Sequence, residues 1–383
     1  MAGAEPIRVG IVGLGGIARA QHVPGYLMCD GVEIAALCDL NEAALREVAR
    51  ICGAPRCYAD YHEMLAHEGL TAVDVCTWPD MHHPIAMEAL ARGKHVFCEK
   101  PLALTYPLAR EMYQASVAAG LKTGVGFTHR QTPAARFAHR IIASGALGAV
   151  YHVVAVYASG RSDYQWLPAT RRRTRAVTGG GPLFELGPHM VDMVRWWTSE
   201  EVTAVCAQTR TYVKQRRLPE TGEMVDVDVD DGAVIMTDLS GGGTATFINS
   251  SVFTGRNFDQ RVEVYGSKGS LLYDQATPFE LRVCVGQEML DLWSGYGLYD
   301  ARYGLHRREE PLPVVPVPTE ILDAIPGADQ RRLMRTFVPD FVDAIRGRER
   351  PHLPTFYDGM RAQEVLDAAL LSVAERRWVD LPL

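Results

Sequence analysis

An apolar run over residues 7–13 ends in a glycine turn, Gly13-Leu14-Gly15-Gly16-Ile17-Ala18, and the residues beyond it have helical spacing. A strand that stops on glycines and turns directly into a helix leaves few folds open. Gly13 permits the tight turn, Gly15 lets another group approach the backbone closely, and Ala18 is small enough for the helix to lie on the strand. The same alternation repeats downstream. Apolar strands at 32–38, 71–77, 95–98 and 122–126 are separated by helix-period stretches at 41–52, 84–92 and 107–119. Such alternation predicts an α/β unit with a parallel sheet covered on both faces.

Past Gly126 the rhythm changes. A helix is expected over 132–144, then long alternating strands at 150–157, 202–213, 232–239, 243–250, 261–265 and 270–273. The turns Ser240-Gly241-Gly242-Gly243 and Gly266-Ser267-Lys268-Gly269 join neighbouring strands as antiparallel hairpins. The expected division is therefore an α/β domain over 1–126, of the doubly wound Rossmann type, and an α+β domain over 127–383 with a large, mostly antiparallel open sheet. Helices at 182–197, 333–346 and 358–376 should cover one face of that sheet, and the proline-rich stretch 312–326 reads as an irregular excursion. The other face needs a cover, which points to a homodimer or homotetramer.

The chain of 383 residues is too long for one average core and suits two domains. Its net charge of −7 argues against a nucleic-acid partner, which would require a basic field. Neither a membrane-spanning run nor a secretory leader is evident. The eight cysteines form no C-x-x-C pair and several sit in apolar runs, as reduced thiols do in a cytoplasmic protein.

Two features give the glycine turn a chemical meaning. The pyrophosphate of a dinucleotide fits a helix N-terminus, where unpaired N–H groups favour an anion. The second strand ends at Asp39, placed to accept hydrogen bonds from ribose hydroxyls, and the next residue is Leu40 rather than a cation for a 2′-phosphate. The reading is NAD in preference to NADP, held by Gly13, Gly15, Gly16, Ile17 and Asp39. Two later strand ends complete the cofactor side. One carries Thr77, Trp78, Pro79 and His82; the other carries Glu99-Lys100-Pro101. Both lie at carboxyl ends of parallel strands, and Lys100 there points to the nicotinamide rather than to bulk water.

The segment 179–197 opens on three glycines and contains Glu185, His189 and Asp192. If it is one helix these three share a face, although Gly187-Pro188 is a place for a kink. A carboxylate beside an imidazole suits a proton-transferring pair. A satisfied buried histidine–carboxylate cluster is the structural alternative. A metal site from the same three residues is set aside, because no zinc-ligand pattern accompanies them.

With these motifs in place, the chain resembles the Gfo/Idh/MocA oxidoreductase family, named for glucose–fructose oxidoreductase and inositol dehydrogenase. The resemblance runs through the glycine turn, Glu99-Lys100-Pro101, Ser144-Gly145, the segment 179–192, Gly266-Ser267-Lys268-Gly269, and the terminal helix followed by Trp378-Val379-Asp380-Leu381. It implies a Rossmann domain, an oligomer-forming open-sheet domain, and a sugar or cyclitol substrate. By position, Lys100 corresponds to the family's active-site lysine, His189 to its catalytic histidine and Asp192 to the acidic residue one turn on. Two departures stand out. Glu185 replaces the usual aspartate, and His129-Arg130 replaces the common aromatic–arginine strand end, which makes His129 a candidate for individual substrate preference.

The expected reaction passes hydride between a ring hydroxyl or ketone and the nicotinamide. His189 takes the hydroxyl proton, oriented by Glu185 or Asp192, and Lys100 stabilises the oxygen. His129, Arg130, Tyr164 and Trp166 are the further substrate-contact candidates; for the two aromatics, anchoring their loop in the core is the alternative. The acidic run Asp226 to Asp231 fails the EF-hand spacing and reads as a charged strand edge. The run Arg171-Arg172-Arg173-Thr174-Arg175 reads as a loop near the substrate mouth. Two other classes stay open: a glycosidase that oxidises its sugar transiently through NAD, and a dinucleotide-binding regulator without catalysis.

Overall fold

The computed structural model describes residues 5–53, 55–160, 164–285, 312–323 and 337–383. Six parallel strands form the first sheet: β1 (Ile7–Val12), β2 (Val32–Cys38), β3 (Arg56–Tyr58), β4 (Ala72–Val75), β5 (His95–Cys98) and β6 (Thr123–Val125). Their order is β3-β2-β1-β4-β5-β6. The connections change direction between β1 and β4, so the crevice at the carboxyl ends of these two strands is where such a sheet binds ligands. Strand β3 was not expected. Its residues are largely exposed and carry no apolar run.

The second sheet holds nine strands in the order β16-β15-β14-β13-β7-β12-β11-β8-β17. They are β7 (Val150–Gly160), β8 (Val202–Arg210), β11 (Gly232–Leu239), β12 (Thr244–Thr254), β13 (Asp259–Gly266), β14 (Gly269–Asp274), β15 (Glu280–Val285), β16 (Val314–Pro316) and β17 (Val379–Asp380). A separate hairpin pairs β9 (Gln215–Arg217) with β10 (Met224–Asp226). Both expected glycine hairpins are present, as β11–β12 and β13–β14. The pair β7–β12 is parallel, which makes the sheet mixed though mostly antiparallel. Register separates its faces. The row Ile235, Phe247, Ala155, Val262 and Tyr273 is buried, whereas the neighbouring row Met236, Thr246, Val154 and Glu263 is at least partly accessible.

The helices Pro133–Ala143, Gly187–Thr198 and Phe356–Glu375 pack against the second sheet. The last begins with a capping box at Thr355 and Asp358, which fixes where it starts. It also packs on the helix Tyr106–Ala119 of the first unit, where Asp367 accepts the Tyr106 N–H at 2.6 Å.

Two expectations change. The segment 333–346 was assigned to the second sheet, but its described part, the helix Phe337–Ile345, packs on the first unit. Phe337 stacks on Phe97 of β5 with ring centroids 5.1 Å apart, and Phe341 meets the same ring edge-on at 5.5 Å. Its four buried apolar residues, Phe337, Val338, Phe341 and Val342, close a core there with Val9, Ile11 and Phe97. Within 312–326, residues 324–326 lie outside the described set, and the rest is not irregular: it holds β16 and the helix Thr319–Asp323.

Candidate active site

The glycine turn has the geometry its sequence demands. Gly13 has φ +89°, and a Cβ there would lie 2.7 Å from the Cys76 backbone. Nothing stands within 4 Å of a Cβ built on Gly15 or Gly16, so the backbone on that side is open to a ligand. Asp39 sits beside it, accepting N–H bonds from Leu14 at 2.6 Å and Asn41 at 2.7 Å. Leu40 is 89 % exposed and offers no cation. An open glycine backbone with a carboxylate alongside fits the dinucleotide expected from the sequence.

A cleft of about 580 Å³ opens between the units. Ile17, Thr77, Trp78, Pro79, Glu99 and Lys100 line it from the first unit, and His129, Tyr157, Arg172, Glu185, His189 and Phe258 from the second. His82 is different. Its ring nitrogens lie 2.8 Å from the Pro101 carbonyl oxygen and 3.1 Å from that of Thr77. The fully buried imidazole thus ties the two strand-end loops together, and it is absent from the cleft wall.

Lys100 is half-buried and its Nζ donates to the Glu185 carbonyl oxygen at 2.7 Å. Burial lowers its pKa, opposed by Glu185 and Glu99. Beneath it lies a cluster that sequence gave no sign of. His22 Nδ1 is 2.8 Å from Asp74 and its Nε2 is 2.9 Å from Glu99. Burial opposes charge on this imidazole, but the Asp74 carboxylate overcomes it and raises the pKa well above the usual value.

The segment 179–197 is broken. A short helix Pro182–Glu185 ends at Leu186, and a second runs over Gly187–Thr198. Pro188 has no N–H to continue the first helix. Glu185 and His189 therefore stand on separate helices. The Glu185 carboxylate pairs with Arg172. The Asp192 carboxylate receives the Arg130 guanidinium at 2.5 and 2.8 Å. Neither carboxylate hydrogen-bonds His189 among the described residues. Burial, with Arg130 pulling the other way, lifts the Asp192 carboxyl to about 6, and it stays ionised at neutral pH.

His189 has different company. The His129 ring lies edge-to-face with it, centroids 4.4 Å apart and planes at 89°. Each ring's Nδ1 is buried without a hydrogen-bond partner, which leaves Nε2 as the nitrogen able to reach the cleft. Burial, then His129 and Lys100, lowers the His189 pKa well below its usual value; burial and Lys100 bring His129 to about 3. Both imidazoles are neutral at pH 7.

Three substrate-contact candidates sit elsewhere. Arg130 is buried between Asp192 and Asp358, behind the cleft wall. The Tyr164 hydroxyl donates to Asp231 at 2.5 Å, and its ring lies under Arg173 and Arg216, so it anchors its loop. Trp166 is 79 % exposed and outside the cleft lining. The acidic run is not a strand edge throughout. Asp230 accepts the N–H groups of Gly181 and Leu183, and Asp231 those of Tyr212 and Val213. Tyr157, Phe258 and Gln275 are cleft residues that the sequence did not mark.

A parallel sheet with an open glycine turn, and a cleft that sets a lysine and a neutral histidine at its strand ends, define a dinucleotide-dependent oxidoreductase. The chain belongs to the Gfo/Idh/MocA family: residues 7–127 match its oxidoreductase family with an NAD-binding Rossmann fold, and residues 135–272 its C-terminal domain. Levoglucosan dehydrogenase of Pseudarthrobacter phenanthrenivorans is 27 % identical over 90 % of this chain and 89 % of its own. Myo-inositol 2-dehydrogenase of Thermotoga maritima is 29 % identical over 76 % of this chain and 81 % of its own. A solved levoglucosan dehydrogenase in complex with NADH and L-sorbose has a TM-score of 0.85 against this fold at 25 % identity, covering 99 % of this chain and all of its own.

Proposed function

We propose that the chain is an NAD-dependent dehydrogenase of a sugar or cyclitol, transferring hydride between a ring hydroxyl or ketone and the nicotinamide. The observation that carries this reading is the meeting of Lys100 and neutral His189 in one cleft between the glycine turn's sheet and the second domain. NAD, when bound, supplies the hydride acceptor. Gly13, Gly15 and Gly16 give its pyrophosphate an open backbone, Asp39 faces the ribose, and Ile17, Thr77, Trp78, Pro79 and Glu99 wall the nicotinamide end. Lys100 spends one N–H on the Glu185 carbonyl and has two left for the substrate oxygen. His189, already neutral, accepts the hydroxyl proton at Nε2 as the carbonyl forms. Glu185 acts through its backbone carbonyl on Lys100 and its carboxylate on Arg172; Asp192 holds the histidine helix through Arg130.

We place the division near residue 126, the protein in the cytoplasm and the working unit as a homodimer or homotetramer. None of the described helices is long and apolar enough to cross a membrane.

The test is a panel of sugars and cyclitols with NAD, followed at the NADH absorbance and by product analysis. Net NADH with a matching ketone supports the reading. Sugar cleavage without net NADH, or cofactor binding with no turnover of any member, would overturn it. Lys100→Met, which removes the donor and charge at similar length, should abolish most turnover while leaving NAD affinity within a few fold.

A further inference from the structure

The cleft wall says more about the substrate than its class. Its ionisable residues, the two histidines and Tyr157 aside, are Glu99, Lys100, Arg172 and Glu185. Arg172 is held by the Glu185 carboxylate, and Lys100 lies between the Glu185 carbonyl and Glu99. Arg172 is thus already paired, and the two N–H groups that Lys100 has left serve the reacting oxygen, so a phosphate or carboxylate placed elsewhere in the cleft would lose hydration without a cation of its own.

The wall is instead supplied with neutral polar groups that have nothing to bond. The His129 side chain is buried, 3 % exposed as a residue, and makes no hydrogen bond among the described residues. Its Nδ1 is the atom shut in without a partner, and its Nε2, the nitrogen able to reach the cleft, makes no hydrogen bond in the described protein and is left for a ligand. Beside it, Tyr157 packs edge-on with centroids 5.4 Å away, and the Gln275 Oε1 is also buried without a partner. Phe258 lines the same cleft, 61 % exposed as a residue, on a backbone at φ +52°. That left-handed conformation is unfavourable for an aromatic residue and recurs at ligand clamps.

We infer that the substrate is an uncharged polyol ring and that His129 binds the hydroxyl adjacent to the one being oxidised. This rests on the sugar or cyclitol reading above. The two imidazoles pack against each other, so the nitrogen that takes the reacting hydroxyl's proton and the nitrogen beside it serve neighbouring positions of one ring. Because burial keeps His129 neutral, its Nε2 accepts from or donates to a hydroxyl according to the tautomer and offers an anion no charge. His129 is thus a specificity-determining residue, distinct from the base His189.

The experiment compares kcat/KM for a neutral ring substrate, its deoxy analogue lacking the adjacent hydroxyl, and a phosphorylated or uronic counterpart. The enzymes are wild type, His129→Phe and His129→Asn, with NAD binding by fluorescence as the check on folding. Wild type should lose on the order of 10–100-fold on the deoxy analogue. His129→Phe should lose a similar factor on the parent and show little further loss on the deoxy analogue, while His129→Asn, which keeps a donor and an acceptor, should recover part of the discrimination. Equal rates for parent and deoxy substrates in wild type, undiminished discrimination in His129→Phe, or preference for the phosphorylated or uronic compound would overturn the inference and leave the dehydrogenase standing. Should His129→Phe not bind NAD, the wild-type comparison and His129→Asn decide. If wild type oxidises no sugar or cyclitol, the underlying reading fails and this inference with it.

Discussion

Asp192 gives both carboxylate oxygens to the Arg130 guanidinium and neither to His189, which stands one turn earlier on the same helix. The pair is almost fully buried and reaches on to Asp358 at the start of the terminal helix. It joins the strand-end turn at Thr128–Gln131, the histidine helix and the terminal helix.

Asp192→Asn should therefore act on stability before chemistry. It leaves Arg130 with only Asp358 for charge compensation, a loss of about 3 kcal/mol for a broken buried pair. The thermal midpoint should fall clearly. At a temperature where the variant is folded, kcat/KM should drop less than tenfold. A loss as large as that of His189→Ala, with an unchanged midpoint, would make Asp192 part of the proton path instead.

The depressed pKa of His189 fixes the sign of the acid limb. The base is needed unprotonated, so oxidation falls only as pH drops through a value well below 6.5. kcat/KM should be flat between pH 6.5 and 7.5 on this account. His189→Ala should cost about 10²–10⁴-fold. An inflection near pH 6.5 that disappears in the His189 variant would contradict the burial argument.

Cofactor choice turns on Asp39. Replacing it with alanine should weaken NAD more than NADP, because only NAD offers both ribose hydroxyls to the carboxylate. Part of the loss will come from the turn itself, since Asp39 also holds the Leu14 N–H. Calorimetric titration of both cofactors into wild type and Asp39→Ala measures this. NADP binding wild type as tightly as NAD would sink the assignment.

His22 makes stability depend on pH in a defined window. Its folded pKa is raised, so its contribution is complete below its unfolded value of about 6.5 and is lost as pH rises through the folded value. The Glu99 carboxyl is held down by His22 against the effect of burial, so its contribution is complete above about 4.3 and is lost on acidification through its lowered folded value. The melting-temperature difference between wild type and His22→Gln should accordingly be largest between about pH 4.3 and 6.5 and shrink on the alkaline side. A difference that does not change with pH would show that His22 contributes packing alone.

The partly accessible face of the second sheet carries Val234 and Met236, 44 % and 46 % exposed, beside Thr246 and Ile248 of β12. Covering such a face with a second copy stabilises by about 25 cal/mol per Å² of apolar surface. Light scattering at micromolar concentration should give a dimer or tetramer, and Met236→Lys should weaken it. A monomer in wild type would count against this use of the face.

Much of this architecture is legible in the chain because glycine and proline mark it. Gly13, Pro101 and the hairpin glycines each sit where a turn or strand end requires them, and Lys100 and His189 lie next to such marks. What was not legible depends on partners far away in sequence. His22 looks like any residue of a first helix until Asp74 and Glu99, 52 and 77 positions on, close around it. Arg130 suggested a substrate contact because Asp192 lies 62 residues later. Tyr164 suggested a stacking platform until Asp231, 67 residues on, claimed its hydroxyl. Phe258 has only a short turn after Gly255 to announce it, and its place in the cleft depends on how the sheet curves.

The seating of Phe337 and Phe341 on Phe97 has a consequence for biogenesis. The aromatic rings that cover Phe97 of β5 leave the ribosome more than two hundred residues after it. The nascent nucleotide-binding half must therefore wait with an oily flank uncovered, open to chaperones or to sticking to a neighbouring nascent chain. Its folding can be completed only once the closing helix has been made and packs back on β5.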